Sequence, residues 1–203
     1  MQLYERYLLP RLIDLACGLG EVMRVRAQIV PQARGRVLEI GIGSGLNLAL
    51  YDTARVSVIV GVDPSAAMQQ LARARVARIA IPVEMIALEL GQIQAAEASF
   101  DDIVCTFTLC TIPDALAALR EMRRVLKPGG RLLFCEHGLA PDAAVARWQR
   151  RLTPCWKPLA GGCHLDRDIP ALIAAGGFRL GTLEARYLKG PRPMTYVYSG
   201  WAD

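Results

Sequence analysis

The stretch Val37-Leu38-Glu39-Ile40-Gly41-Ile42-Gly43-Ser44-Gly45 constrains this chain more than any other. An apolar run with the pattern of a strand buried on both faces meets three glycines at alternate positions, and Leu46-Asn47-Leu48-Ala49-Leu50 follows with helical character. Strand, glycine turn and helix in that order open a nucleotide-binding α/β unit. Glycine there lets the backbone turn tightly and lets a ligand approach where a Cβ would collide. The spacing departs from the dinucleotide fingerprint G-x-G-x-x-G, whose third glycine would fall at Leu46; here it comes one residue early, at Gly45. The strand also carries an acid, Glu39. A pyrophosphate seeks free N–H groups at a helix N-terminus, away from carboxylates. Glu39 repels phosphates and suits a ligand bearing an ammonium or a sulfonium.

The rest of the α/β pattern follows in order. Strand 36–40 leads to a helix over 45–53, and the β-branched run 56–62 reads as a second buried strand ending at Asp63. An acid about 20 residues past the glycines, at a strand end, is where an α/β nucleotide site grips ribose hydroxyls, since a carboxylate accepts both O–H groups at once. Ser65 is placed to cap a helix over 65–77, which leaves Asp63 for the ligand. Strand 81–88 ends at Glu89, and strand 99–105 runs into Thr106 at the crevice. Asp114 caps an amphipathic helix over 115–126, Lys127-Pro128-Gly129-Gly130 ends it, and 131–134 is the fifth strand, closed by Cys135-Glu136-His137. A helix over 142–152, a loop at Gly161-Gly162-Cys163-His164-Leu165, a helix from 166 or 168 to 175, and strands over 178–186 and 194–201 complete the chain. Before all of these, residues 3–29 read as one or two helices broken at Pro10 and at Gly18–Gly20, with Leu8, Leu12, Leu15 and Leu19 as an apolar stripe that packs on the sheet edge or forms a lid.

These motifs carry a resemblance. Glu39-x-Gly41-x-Gly43-x-Gly45, Val62-Asp63-Pro64-Ser65-x-x-Met68, Phe100-Asp101-x-Ile103-Val104 and Arg124-Val125-Leu126-Lys127-Pro128-Gly129-Gly130 resemble, in order, the motifs of class I S-adenosylmethionine-dependent methyltransferases. The resemblance implies a Rossmann-like α/β three-layer sandwich with a seven-stranded, mostly parallel sheet whose last strand is antiparallel, plus the N-terminal helices. It implies one domain over 1–203, with a helical lid over 1–33, a cofactor-binding half over 36–136 and a substrate side over 137–203. The cofactor is S-adenosyl-L-methionine, leaving as S-adenosyl-L-homocysteine, with no metal. Its implied contacts are Glu39, Gly41, Gly43, Gly45, Asp63, Pro64, Met68 beside the adenine, Glu89 on the adenine amino group, the Leu90 N–H against the ring, and Thr106. Family members usually have Asp where this chain has Glu89.

Leu109-Cys110-Thr111, Glu136-His137, Gly162-Cys163-x-Leu165-x-Arg167 and Arg192-Pro193 are similar to the methyltransferase-like alkyl-thiol S-methyltransferases of animal endoplasmic reticulum and lipid droplets, and more weakly to bacterial phospholipid N-methyltransferases and quinone C-methyltransferases. The expected reaction is methyl transfer to a small-molecule acceptor, a thiol first among them. A thiol needs only to lose a proton, and the two histidines, His137 and His164, are the candidate bases. The reading from another class is a cofactor-binding partner subunit without its own catalysis.

Composition bounds the rest. Of 203 residues, 53% are hydrophobic, enough for one large core. The net charge of +5 is spread along helical faces such as Arg73, Arg75 and Arg78, which read as solvated and argue against nucleic acid. No apolar run has the roughly 18 residues of a membrane span, leaving at most weak peripheral membrane contact, and nothing resembles a secretory signal. Six cysteines without CxxC spacing fit reduced thiols in a cytoplasmic protein. The sequence leaves the oligomeric state open.

Overall fold

A computed structural model describes residues 4–86, 88–89 and 91–203, with side chains for all of these but residues 5, 6 and 89. The central sheet uses β1 (Gly35–Ile40), β2 (Val56–Val62), β3 (Val83–Met85), β6 (Phe100–Thr106), β7 (Leu126–His137), β8 (Leu180–Tyr187) and β9 (Tyr196–Ala202); β4 (Leu88–Glu89) and β5 (Gln92–Ile93) form a separate antiparallel ribbon. The helices are α1 (Leu9–Cys17), α2 (Gly20–Ile29), α3 (Ala66–Val76), α4 (Ala115–Val125), α5 (Ala143–Leu159) and α6 (Ile169–Ala175).

The strand order is β3-β2-β1-β6-β7-β9-β8, parallel except that β9 runs antiparallel to both neighbours. Alternation along the inner strands divides the core into two layers. Leu38, Ile40, Ile103, Cys105, Leu132 and Phe134 point to one face, where Leu119 and Met122 of α4 and Ile169 and Ile173 of α6 cover them. Val37, Val104, Leu133 and Cys135 point to the other, under Val25 and Ile29 of α2. The expected three-layer sandwich with a last antiparallel strand is therefore the observed fold. The chain order reverses direction between β1 and β6, and a crevice opens at their carboxyl ends.

The tail of the fifth-strand motif is structural. Gly129 has φ +76°, a Cβ on Gly130 would lie 2.5 Å from the Asp101 carbonyl oxygen, and Lys127 Nζ donates to Asp101 at 2.7 Å. These features let the chain leave α4 and enter β7 against β6.

Four expectations need correction. The helix expected over 45–53 is a single 3-10 turn, Leu48–Leu50, because Asn47 and Tyr51 turn inward to bond Glu39 and Gly45 holds φ +80°. The third strand is confined to Val83–Met85. The helix expected to stop at 152 runs to Leu159 with Pro154 and Pro158 inside it, and both prolines are exposed. The stripe Leu8, Leu12, Leu15 and Leu19 faces outward, exposed by 44–69%. The opposite face of α1 packs inward instead, and Pro10 sits in its first turn, where a missing N–H costs nothing.

Candidate active site

The crevice deepens into a cavity of about 780 Å³ between the glycine turn, the end of β2, the loop after β6 and the inner face of α1. The turn is built as the spacing requires. Gly41 has φ +66° and a Cβ there would strike the Thr108 side chain at 2.3 Å. Gly43 has φ +56°, and a Cβ there would face Met68 Cε at 3.2 Å and Asp63 Oδ2 at 3.9 Å, both cavity residues. Anything larger than hydrogen at Gly43 would occupy space that a ligand needs.

Asp63 closes this turn. Its Oδ2 accepts the Gly43 N–H at 2.9 Å and its Oδ1 the Ser65 N–H at 2.8 Å. Ser65 caps α3 by accepting the Met68 N–H, so the capping role does fall to Ser65. Burial raises the Asp63 pKa, and the two backbone donors hold it back down. Asp63, Pro64, Met68 and Thr106 all line the cavity. Leu90 and the Glu89 side chain lie outside the described residues.

Glu39 does not reach the cavity wall. It is 1% exposed, with Oε1 accepting from Asn47 Nδ2 at 2.9 Å and Oε2 from the Tyr51 hydroxyl at 2.8 Å. Burial drives its pKa up to about 7, against those two hydrogen bonds and the nearby Arg26 cation. Asn47 links it onward, donating to Thr106 Oγ1 at 2.9 Å and accepting from Arg26 at 2.8 Å. Arg26, from α2, also donates to Thr106, stacks over Phe107 at 5.0 Å, and lines the cavity. Its Nε is buried with no hydrogen-bond partner among the described residues.

Arg26 escapes the sequence reading, although one signal was present: it lies on the stripe of Val25, Ile29 and Val30, where a solvated arginine is out of place. Arg75 also corrects an expectation. Instead of standing free on a helix face, it holds Asp14 of α1 through two hydrogen bonds at 2.9 and 3.2 Å and the Ser44 carbonyl at 2.8 Å, while Ser44 Oγ donates to Asp14. This clasp ties α1 to the glycine turn and keeps Leu9, Pro10, Ile13 and Cys17 on the cavity side.

The loop after β6 is organised by Glu136, which is fully buried and accepts from the Thr108 N–H at 2.9 Å and the Cys110 N–H at 3.2 Å. Burial lifts its pKa to about 7 against these donors. Phe107 takes φ +51° at the bend. Thr111, Ile112 and Pro113 then form a wall of the cavity facing Gly161 and Gly162. The two histidines stand behind this wall. His164 Nδ1 lies 3.2 Å from the Cys110 carbonyl oxygen. His137 Nδ1 lies 3.7 Å from Cys163 Sγ, and its Nε2 is buried without a partner among the described residues. Arg167 spends its guanidinium on the Leu109 and Pro113 carbonyls.

Residues 38–134 match the family described as Methyltransferase domain. The rat thiol S-methyltransferase TMT1B is 36% identical over 136 residues, covering 65% of this chain and 55% of that protein, so the match spans about half of the relative. Human thiol S-methyltransferase TMT1A is 30% identical over 181 residues, covering 83% of this chain and 72% of the relative. The phosphatidylethanolamine N-methyltransferase of Cereibacter sphaeroides is 33% identical over 175 residues, with coverages of 84% and 83%. A SAM-dependent methyltransferase structure from Thermotoga maritima superposes with TM-score 0.68 at 20% identity over 99% of this chain and 98% of that one.

Proposed function

The chain belongs to the class I S-adenosylmethionine-dependent methyltransferases, and on that premise we propose that it methylates a small apolar thiol. The residues fit the cofactor on two counts. Gly43 leaves room that a Cβ would fill, and Arg26 puts a cation on the cavity lining, where a ligand's carboxylate would meet it. In this reading Asp63 accepts the ribose hydroxyls, Pro64 and Met68 flank the adenine, and Glu89 and Leu90 meet its edge. Gly41, Gly43 and Gly45 give the turn its shape. Thr106, Asn47 and Glu39 hold Arg26 in place, so Glu39 acts through its neighbours. When bound, S-adenosylmethionine supplies an electrophilic methyl carbon on a positive sulfur, chemistry that calls for alignment and exclusion of water rather than a metal. The clasped helix α1 serves as the lid that provides both.

One observation carries the choice of acceptor: the wall opposite the glycine turn is apolar, built from Leu9, Pro10 and Ile13 of α1 with Ile112 and Pro113. Arg26 is the sole cation among the described lining residues, and in this reading the cofactor's carboxylate takes it, leaving none for the acceptor. A phosphate-bearing acceptor wants fixed, available Arg or Lys partners. Arg167, the other nearby cation, is committed to loop carbonyls. The similarity to thiol S-methyltransferases supports the same reading, and phospholipid N-methylation or quinone C-methylation are the alternatives. Of the two histidines, His137 is the better candidate proton acceptor, because its Nε2 has no partner among the described residues while His164 faces a carbonyl; both stand behind the Thr111–Pro113 wall, so the transfer needs that wall to open.

Thermal unfolding tests the cofactor half of the proposal. S-adenosylhomocysteine at about 100 times its Kd should stabilise the fold by roughly 2.7 kcal/mol, and NAD should not. Stabilisation by NAD alone overturns it.

A further inference from the structure

The ribbon β4–β5 stands apart from the central sheet, and its own pairing is small: Leu88 faces Ile93 and Glu89 faces Gln92. Two residues a strand do not hold a hairpin in water. Yet Ile93 is 4% exposed, and Leu88, Gly91 and Ile93 line the cavity. The helix α4 supplies what fixes the ribbon. Glu121 Oε2 accepts the Ile93 N–H at 3.0 Å, and Arg124 Nη2 donates to the Ile93 carbonyl at 3.1 Å. Arg124 Nη1 donates to the Ala95 carbonyl at 3.1 Å. The chain leaving the ribbon is tied to the end of the same helix: the Ala98 N–H donates to the Arg124 carbonyl at 3.1 Å and the Ser99 N–H to the Val125 carbonyl at 2.8 Å.

Glu121 and Arg124 lie three residues apart on one face of α4 and lock each other. Arg124 Nε donates to Glu121 Oε1 at 2.5 Å and its Nη2 to Oε2 at 2.9 Å. These bonds from Arg124 hold the Glu121 carboxyl below the usual carboxylate range, so it meets Ile93 as an ionised acceptor. The pair gives Ile93 one acceptor and one donor, which is what a neighbouring strand would give it. Glu121 also lines the cavity, one turn along α4 from Ala117 and Ala118. Both of its oxygens already take N–H donors, so it acts on a ligand through the ribbon.

We propose that Glu121 and Arg124 are positioning residues that set the cofactor's base selectivity by pinning the β4–β5 ribbon against the adenine. The inference rests on the cofactor placement proposed above, in which Glu89 and Leu90 meet the adenine edge; in the chain both fall between Leu88 and Gly91, which line the cavity. Telling an amino group from an oxo group takes a hydrogen bond, and hydrogen bonds weaken steeply with distance and angle. Apolar cover does not. A slack ribbon therefore still covers the base but reads its edge poorly. The ribose and the amino-acid end are held by other elements: Asp63 at the end of β2, the glycine turn, and Arg26 of α2. Loosening the ribbon leaves those contacts in place.

The test measures calorimetric affinities of the full-length protein for S-adenosylhomocysteine and for S-inosylhomocysteine, in which an oxo group replaces the adenine amino group. Wild type should prefer the adenosyl ligand. R124Q should lose about tenfold in affinity for S-adenosylhomocysteine and little for the inosyl analogue, so the preference shrinks. R124K should recover only part of it, because one ammonium does not serve two carbonyls as the planar guanidinium does. R120Q, at an exposed position of the same helix, should leave both affinities unchanged. An equal loss for both ligands in R124Q, or an unchanged preference, overturns the inference and leaves the cofactor placement standing. Wild type that binds neither ligand overturns the placement and the inference together. Amide exchange of the unliganded wild type decides the matter even if a variant fails to fold. The Ile93 N–H should be protected, and exchange at the rate of a free peptide overturns the proposal.

Discussion

Asp63 bridges two turns: one carboxylate oxygen takes the Gly43 N–H at 2.9 Å and the other the Ser65 N–H at 2.8 Å. The residue assigned to the ribose is therefore also the brace of the glycine turn. D63A should lower S-adenosylhomocysteine affinity by about 1.5–3 kcal/mol, or roughly 10–150-fold, in a calorimetric titration. D63N should be no rescue, because an amide can turn only one acceptor toward two N–H donors and its own N–H₂ group opposes the other. Unchanged affinity in D63A would remove Asp63 from the cofactor site.

The Arg75–Asp14 clasp should hold α1 over the cavity. D14A and R75A should each cost on the order of 0.5–1 kcal/mol of stability, as expected for a partly exposed bidentate pair, and the double variant little more than either alone. Both should raise the dissociation rate of S-adenosylhomocysteine more than they change its association rate. Additive losses with unchanged dissociation would mean that α1 does not act as a lid.

Glu39 makes the stability depend on pH in a defined direction. Burial raises its folded pKa from 4.5 to about 7, so the folded state holds a proton that the unfolded state has released. The stabilisation from this group is fully present below about pH 4.5 and is lost as pH rises through 7. E39Q removes that dependence. The difference in Tm between E39Q and wild type should move in favour of the variant from pH 5 to pH 8, by an amount on the order of 3 kcal/mol in unfolding free energy. Glu136, raised to about 7 by the same burial, gives the same sign in E136Q. A pH-independent difference for E39Q would show that Glu39 stays ionised throughout.

H137N should lower kcat/KM for the acceptor by roughly 10²–10⁴ and leave cofactor affinity unchanged. H164N should stay close to wild type. Wild-type rates in both variants would assign proton removal to solvent and leave the protein the task of alignment alone.

What the sequence made legible was local. The glycine spacing, Asp63 at the end of β2, Ser65 and Asp114 as caps, and the Lys127–Gly130 turn each depend on residues close in the chain, and each stands where expected. The missed parts depend on which face of a helix the tertiary fold buries. Arg26 and Arg75 look like ordinary surface arginines until α2 and α3 are packed, and Leu8, Leu12, Leu15 and Leu19 form the stronger stripe yet lose the core face to the side of α1 that carries Asp14. The helix expected after the glycine turn failed for a similar reason. Glu39, fixed in β1, captures Asn47 and Tyr51, and that long-range pull outweighs helix propensity.

The central claim is methyl transfer to a small thiol, and a radiolabelled methyl-transfer assay with purified protein tests it most directly. The acceptors are a short alkyl thiol, phosphatidylethanolamine vesicles and a demethylated quinol precursor, each with S-adenosylmethionine. The thiol should turn over with a kcat/KM at least about tenfold above the other two, a margin of some 1.4 kcal/mol in transition-state binding. Faster methylation of the phospholipid or the quinol would contradict the acceptor, and cofactor binding with no transfer to any of the three would mark the chain as a binding subunit.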